Sequence, residues 1–193
     1  IELYKTCSAK YISTELNLSF KIISAVLKKN NIPRIFRSNG KDKTFDKTYF
    51  AEINSHDKAY WLGFLYADGN VCGKTMQLRI MDLGHLDKMK VHMKSEHKVN
   101  VNDGVKYPKS SKFCITSQLL VEQLKRLGVE ERKSLTLSFP SENQVPQEFV
   151  ASFMLGYFDG DGSIVTYKPK QGNRKWNFSI ISTYDFCRRF NDI

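Results

Sequence analysis

Two nine-residue stretches of this chain share one frame: "WLGFLYADG", Trp61 to Gly69, and "MLGYFDGDG", Met154 to Gly162. In each, an apolar run at helical spacing stops on an acid followed by glycine. Gly63 and Ala67 are four apart, as are Gly156 and Gly160, so each predicted helix carries a stripe almost without side chains. Stripes of this kind let two helices approach closely. If they face one another, Asp68 and Asp161 arrive side by side at two helix C-termini. Helix ends of that polarity carry partial negative charge and like charges repel, so the placement is unfavourable as it stands. A divalent cation resolves it, because carboxylates and free helix-end carbonyls are the hard ligands that Mg²⁺ or Mn²⁺ takes, with substrate phosphate completing the shell. One copy alone reads equally as a helix ending in an Asp-Gly turn. Repetition in one frame is what points to a site.

The repeat extends beyond the frame. After Asp68, Met76, Leu78 and Ile80 alternate with Gln77 and Arg79, which predicts a strand with one polar face. Leu83, Leu86, Met89 and Met93 then recur at helical spacing, "KVNVN" and "KFCITS" read as a second strand pair, and "SQLLVEQLKRLGV" as a helix capped by Ser117. The predicted order is helix, strand, strand, helix, strand, strand, helix. After Asp161, 93 residues on from Asp68, it begins again with "SIVTY", a basic loop through Lys168, Lys170 and Arg174, "KWNFSII", and the helix "TYDFCRRF". Copy one runs from Asp68 to Pro140, whereas Ile193 comes 32 positions after Asp161, so about 40 residues of copy one lack a counterpart in copy two. Such a remnant leaves a sheet edge unpaired and residues such as Phe178 and Ile180 uncovered. With Ile1 in place of Met at the start, the chain reads as a fragment of a longer product.

Ahead of the repeats, Lys10 to Arg34 carries apolar residues at Ile12, Leu16 and Leu18, then Ile22, Ile23, Val26 and Leu27. Two short helices are predicted, the second capped by Ser19 and stopped by Pro33. Its polar face holds Lys21, Ser24 and Lys28. That face suits a helix lying in a DNA groove, and an ordinary helical hairpin reads the same way. The polar, aperiodic stretch Arg37 to Thr48 is a linker. The expected organisation is therefore 1–36 helix-turn-helix-like, 37–48 linker, 49–147 first repeat and 148–193 shortened second repeat.

Thirty Lys plus Arg against twenty Asp plus Glu give a net charge of +10 and a pI near 9.4, which suggests a polyanionic partner. Cys7, Cys72, Cys114 and Cys187 are far apart and form no C-x-x-C pair, so neither zinc nor a disulfide framework is indicated. No apolar run approaches the ~20 residues of a membrane span, which predicts a soluble intracellular protein. His85, His92 and His97 fall in or after one amphipathic stretch without a metal motif and are expected at the surface.

The two frames resemble the signature of the LAGLIDADG homing endonucleases and align with it without gaps, and "SFPSENQVPQEFVASFMLGYFDGDGSI" is similar to the approach to the second signature in single-chain members. The resemblance covers the chain from about Tyr49 onward. It implies an α/β (α+β) fold of tandem αββαββα repeats in a pseudo-two-fold saddle, incomplete in the second repeat here. It further implies a monomer that binds double-stranded DNA. Asp68 and Asp161 would be the catalytic, metal-binding pair, assisted by the carbonyls of Ala67 and Gly160, and cleavage would leave 5′-phosphate and 3′-hydroxyl ends. Gly63 and Gly156 would form the helix interface. Gln77, Arg79, Lys175, Asn177 and Ser179 would read bases, while Lys74, Lys106 and Lys109 would hold phosphates. Gln77, Lys112 and Lys133 are candidates for the peripheral Gln and Lys of such sites, or are ordinary DNA-facing residues. The sixth signature position departs, being Tyr66 in one copy and Asp159 in the other. A rival reading keeps the scaffold without cleavage, as an RNA maturase or a helix-turn-helix transcription regulator.

Overall fold

The computed structural model describes residues 12–13, 15–30, 43–104, 109–169 and 172–193. The chain divides into two compact units, Ile1–Asp42 and Lys43–Ile193. In the first, helix α1 spans Phe20–Lys29, and Ser19 caps it by accepting from the Ile22 N–H. The helix ends before Pro33, which lies outside the described residues: Asn30 closes it by donating through Nδ2 to the Val26 carbonyl at 2.8 Å. Ile23 and Leu27 are buried, but Ile22 and Val26, expected on the same apolar face, are 48% and 43% exposed. The preceding predicted helix falls partly outside the described residues. One turn of it remains, the Leu16 N–H donating to the Ile12 carbonyl at 3.0 Å.

The larger unit is α+β, with two antiparallel sheets. It runs α2 (His56–Ala67), β1 (Gly69–Cys72), β2 (Thr75–Ile80), α3 (Leu83–His92), β3 (Asn100–Asn102), β4 (Ser110–Thr116), α4 (Gln118–Arg126), α5 (Val150–Asp161), β5 (Gly162–Tyr167), β6 (Lys175–Ile180) and α6 (Tyr184–Asn191), with short 3₁₀ turns at Lys133–Leu135 and Gln147–Phe149. Local chemistry sets the helix starts. Ser55, Asp82, Ser117 and Thr183 each accept a backbone N–H two or three residues into α2, α3, α4 and α6. Residues 43–48, predicted as the end of the linker, belong to this unit: Asp46 N donates to the Met93 carbonyl at 2.8 Å and Glu96 N to the Thr44 carbonyl at 2.9 Å.

The first sheet has the order β1-β2-β4-β3. Strand alternation sorts its faces: Val71, Met76, Leu78, Phe113 and Ile115 are fully buried in the core with residues of α2, α3 and α4. The opposite face carries Asn70, Cys72, Thr75, Gln77, Arg79, Lys112, Cys114 and Thr116. β5 and β6 form a separate hairpin sheet whose register sets Gly162 opposite Ile180, as Gly69 is opposite Leu78. By that register Ile164, Phe178 and Ile180 correspond to Val71, Met76 and Leu78. The first set is fully buried, yet Ile164 and Phe178 are 52% and 63% exposed, and Trp176 beside them 64%. Ile180 is the exception on this face and packs partly onto the core. Helix α6 closes back through Phe186, whose ring lies 4.3 Å from Tyr157.

One further expectation changes. The three histidines, expected at the surface, are half-buried: α3 packs beside α2, so Trp61 Nε1 donates to His92 Nδ1 at 3.1 Å and the His85 ring sits 4.7 Å from Phe64. His97 is held by Ser95 at 3.0 Å. Among the described residues no helix is long and apolar enough to cross a membrane.

Candidate active site

Helices α2 and α5 pack against each other more extensively than any other pair of elements, and glycine is what permits it. A Cβ on Gly63 would lie 2.0 Å from the Phe153 carbonyl oxygen, and one on Gly156 would lie 1.9 Å from that of Tyr60. The 93-residue period carries Gly63 to Gly156 and Tyr60 to Phe153, so these two close approaches exchange under the repeat. His56 and Phe149, related by the same period, meet edge-on with ring centroids 5.2 Å apart. The predicted facing of the two stripes is therefore present. At their ends a Cβ on Gly160 would come within 2.4 Å of the Ala67 Cβ and 3.6 Å of Asp68 Oδ2.

The convergence brings Asp68, the C-cap of α2, together with Asp161, the last residue of α5. Both reach solvent, but enough protein walls each carboxyl to push its pKa above the ordinary carboxylate value. For Asp68 burial is the largest cause, repulsion from Asp161 adds to it, and Lys133 opposes both. For Asp161 burial again leads, opposed by Lys133 and by a hydrogen bond from Tyr157. The Tyr157 hydroxyl also lies 3.2 Å from the Ile181 carbonyl, and its own pKa is pushed up to about 12, chiefly by burial. A cavity of about 540 Å³ opens here, lined by Ala67, Lys133, Tyr157, Asp161 and Ser182 among others. A larger one, about 660 Å³, lies elsewhere, around Ala51, Arg126 and Phe149, and holds neither acid.

Of the three candidates for peripheral residues, the structure brings only Lys133 to the acids. Its ammonium donates to the Ala67 carbonyl at 2.9 Å and the Gly69 carbonyl at 2.8 Å and is attracted by both carboxylates. Burial lowers its pKa below the ordinary lysine value, and the two acids oppose that. The residue starts a 3₁₀ turn behind Arg132, which has φ 57° and ψ 34°, a left-handed backbone uncommon for a side chain of this size. Gln77 and Lys112 stand on the polar sheet face instead, opposite Cys114 and Arg79. Tyr157 and Ser182 went unnoticed in the sequence; Tyr157 sits inside the second frame, where it reads as packing.

The donor set suits a hard divalent cation: two carboxylates and helix-end carbonyls, with a single lysine ammonium offsetting only part of the negative charge. Among the described residues no cluster of three or more His, Cys, Asp or Glu forms, so carbonyls, water and a ligand's own oxygens would have to complete a shell. None of the remaining predicted residues lines the cavity beside the acids. Arg79 is exposed and half-buried Lys112 faces it, Lys74 is in the exposed turn after β1, and Lys109 precedes β4. Lys168 and Arg174 flank the β5–β6 turn, and Lys175, Asn177 and Ser179 are exposed along β6. Lys21 and Lys28 are exposed on α1 of the first unit and Ser24 is half-buried there. Lys106 and Lys170 fall outside the described residues.

No protein-family model matches this chain, and no curated protein matches it.

Proposed function

We propose that the chain is a metal-dependent, site-specific endonuclease for double-stranded DNA, of the homing type that its two frames resemble, built as two repeats about a pseudo-two-fold axis in a saddle. The observation that carries this reading is the convergence of Asp68 and Asp161, one from each repeat, at the ends of helices packed backbone to backbone. A structural role alone gives no reason to bring two carboxylates to adjacent helix C-termini. A bound Mg²⁺ or Mn²⁺ would supply Lewis acidity at the scissile phosphate and at the attacking water. Asp68 and Asp161 would hold it, with the Ala67 and Gly160 carbonyls beside them. The Tyr157 hydroxyl, which donates to the Ile181 carbonyl, stands beside the Asp161 carboxyl and would help position it. Hydrolysis would leave 5′-phosphate and 3′-hydroxyl ends.

The sheets begin where the acids stand, since β1 starts at Gly69 and β5 at Gly162. The polar face of the first sheet has no carboxylate among its strand residues, and it sets Arg79 directly opposite Lys112. Like charges paired across strands are destabilising, and a phosphate backbone relieves the repulsion. Gln77, Arg79, Lys175, Asn177 and Ser179, all on strands, would meet base edges.

The test is cleavage of a randomised duplex library in Mg²⁺ by the wild type and by Asp68→Asn and Asp161→Asn. Each substitution removes a metal charge and little volume, so both variants are expected to lose double-strand cleavage by at least 100-fold while still binding DNA. Equal cutting by either variant would sink the proposal.

A further inference from the structure

Lys133 is the cation of this site when no metal is bound. Its ammonium spans the carbonyls of Ala67 and Gly69, at 2.9 and 2.8 Å, and faces the carboxylates of both repeats. A small divalent ion drawn to Asp68 and Asp161 would meet the same Ala67 oxygen. The ammonium and the ion compete for it, because a hard cation at ~2.1 Å from that oxygen, even on its second lone pair, would stand within a few ångströms of the positive charge. Resting on the reading of Asp68 and Asp161 as a metal site, we propose that Lys133 is a displaceable internal counter-ion. It holds the two repeats' acids together in the metal-free protein, competes with the divalent ion for the Ala67 carbonyl, and swings into the adjoining cavity when the ion enters.

The surroundings fit this role. Lys133 and two of its present partners, Ala67 and Asp161, line the same cavity of about 540 Å³, so an extended lysine has space to move without unpacking the core. Its backbone is fixed by the tight 3₁₀ turn Lys133–Leu135 and by the left-handed Arg132 before it, which anchors the base of the side chain while leaving its end free to choose a partner. A lysine suits the task where arginine would not, being a compact point charge on a flexible stem.

The experiment measures Mn²⁺ binding by titration, and thermal melting in EDTA and in Mn²⁺, without DNA. The proteins are the wild type, Lys133→Met, Lys133→Gln and Asp161→Asn. Gln keeps a donor for one carbonyl and removes the charge, which protects the comparison if Met does not fold. Both lysine variants are expected to melt below the wild type in EDTA, to recover most of that loss in Mn²⁺, and to bind Mn²⁺ at least tenfold more tightly. A Lys133→Gln chain that folds only when Mn²⁺ is added gives the same support, and one that folds in neither condition contradicts the role. Mn²⁺ binding lost in Asp161→Asn but unchanged or weaker in the lysine variants overturns the counter-ion alone. Mn²⁺ binding that Asp161→Asn leaves intact overturns the metal site beneath it.

Discussion

Asp68 and Asp161 have opposite values for stability and for chemistry. Burial raises the pKa of each, so the folded chain holds protons more readily than the unfolded one. Stability from these groups is therefore fullest below the ordinary carboxylate range, near pH 3.9, and falls as pH rises through the raised values. At neutral pH without metal the charged pair is a net cost. Asp161→Asn leaves Asp68 matched by Lys133 and is expected to raise the melting temperature in EDTA at pH 7.5 by on the order of 2–4 °C, the gain shrinking toward pH 4.5. Melting curves at the two pH values decide it; a variant less stable at pH 7.5 would mean that the carboxylate is stabilising. Both acids were legible in the sequence because the frame repeats. Lys133 could be named only as one of three candidates, since its approach to Ala67 depends on the path from α4 through the left-handed Arg132, which no local pattern encodes.

At the scale of elements, the period-2 and period-3.6 patterns placed the strands and helices of the larger unit, and Ser19 and Ser117 act as the caps expected of them. Partnerships beyond one element were harder to read. The histidines of α3 were assigned to solvent because nothing local shows that α2 packs across them. The sixth frame position departs for a reason visible only in the packed pair. Tyr60 donates to Asp159 Oδ2 at 2.7 Å and lies 3.1 Å from His85 Nε2, whereas its repeat counterpart Phe153 meets the Tyr66 ring edge-on at 4.9 Å. One pair is polar and the other aromatic, in the same place in each repeat. The glycine stripe is the harder constraint. Gly156→Ala puts a methyl where only 1.9 Å separates it from the Tyr60 carbonyl oxygen, so the helices must part, at a cost of about 3 kcal/mol. Urea unfolding would register this as a lower midpoint. An unchanged midpoint would show that the two helices do not meet at that glycine.

The larger unit is asymmetric despite its repeat. Copy one encloses its sheet between core and polar face, while the matching apolar face of β5–β6 leaves Ile164, Trp176 and Phe178 more than half exposed. The exposure of Phe178 was foreseen from comparing the two copies, a comparison that needs no coordinates. Length and composition had less to say: the +10 charge points to a polyanion, but only strand register shows Arg79 and Lys112 face to face with no acid among the strand residues around them. The claim on which the account turns is that the two repeats share one metal site. Anomalous scattering from Mn²⁺ in crystals of the chain with duplex DNA measures that directly. The account predicts a peak within ~2.0–2.4 Å of a carboxylate oxygen of Asp68 and of Asp161, with the Lys133 ammonium moved off the Ala67 carbonyl. Mn²⁺ bound only at positions that touch neither acid, in crystals whose protein still cuts DNA, would contradict it.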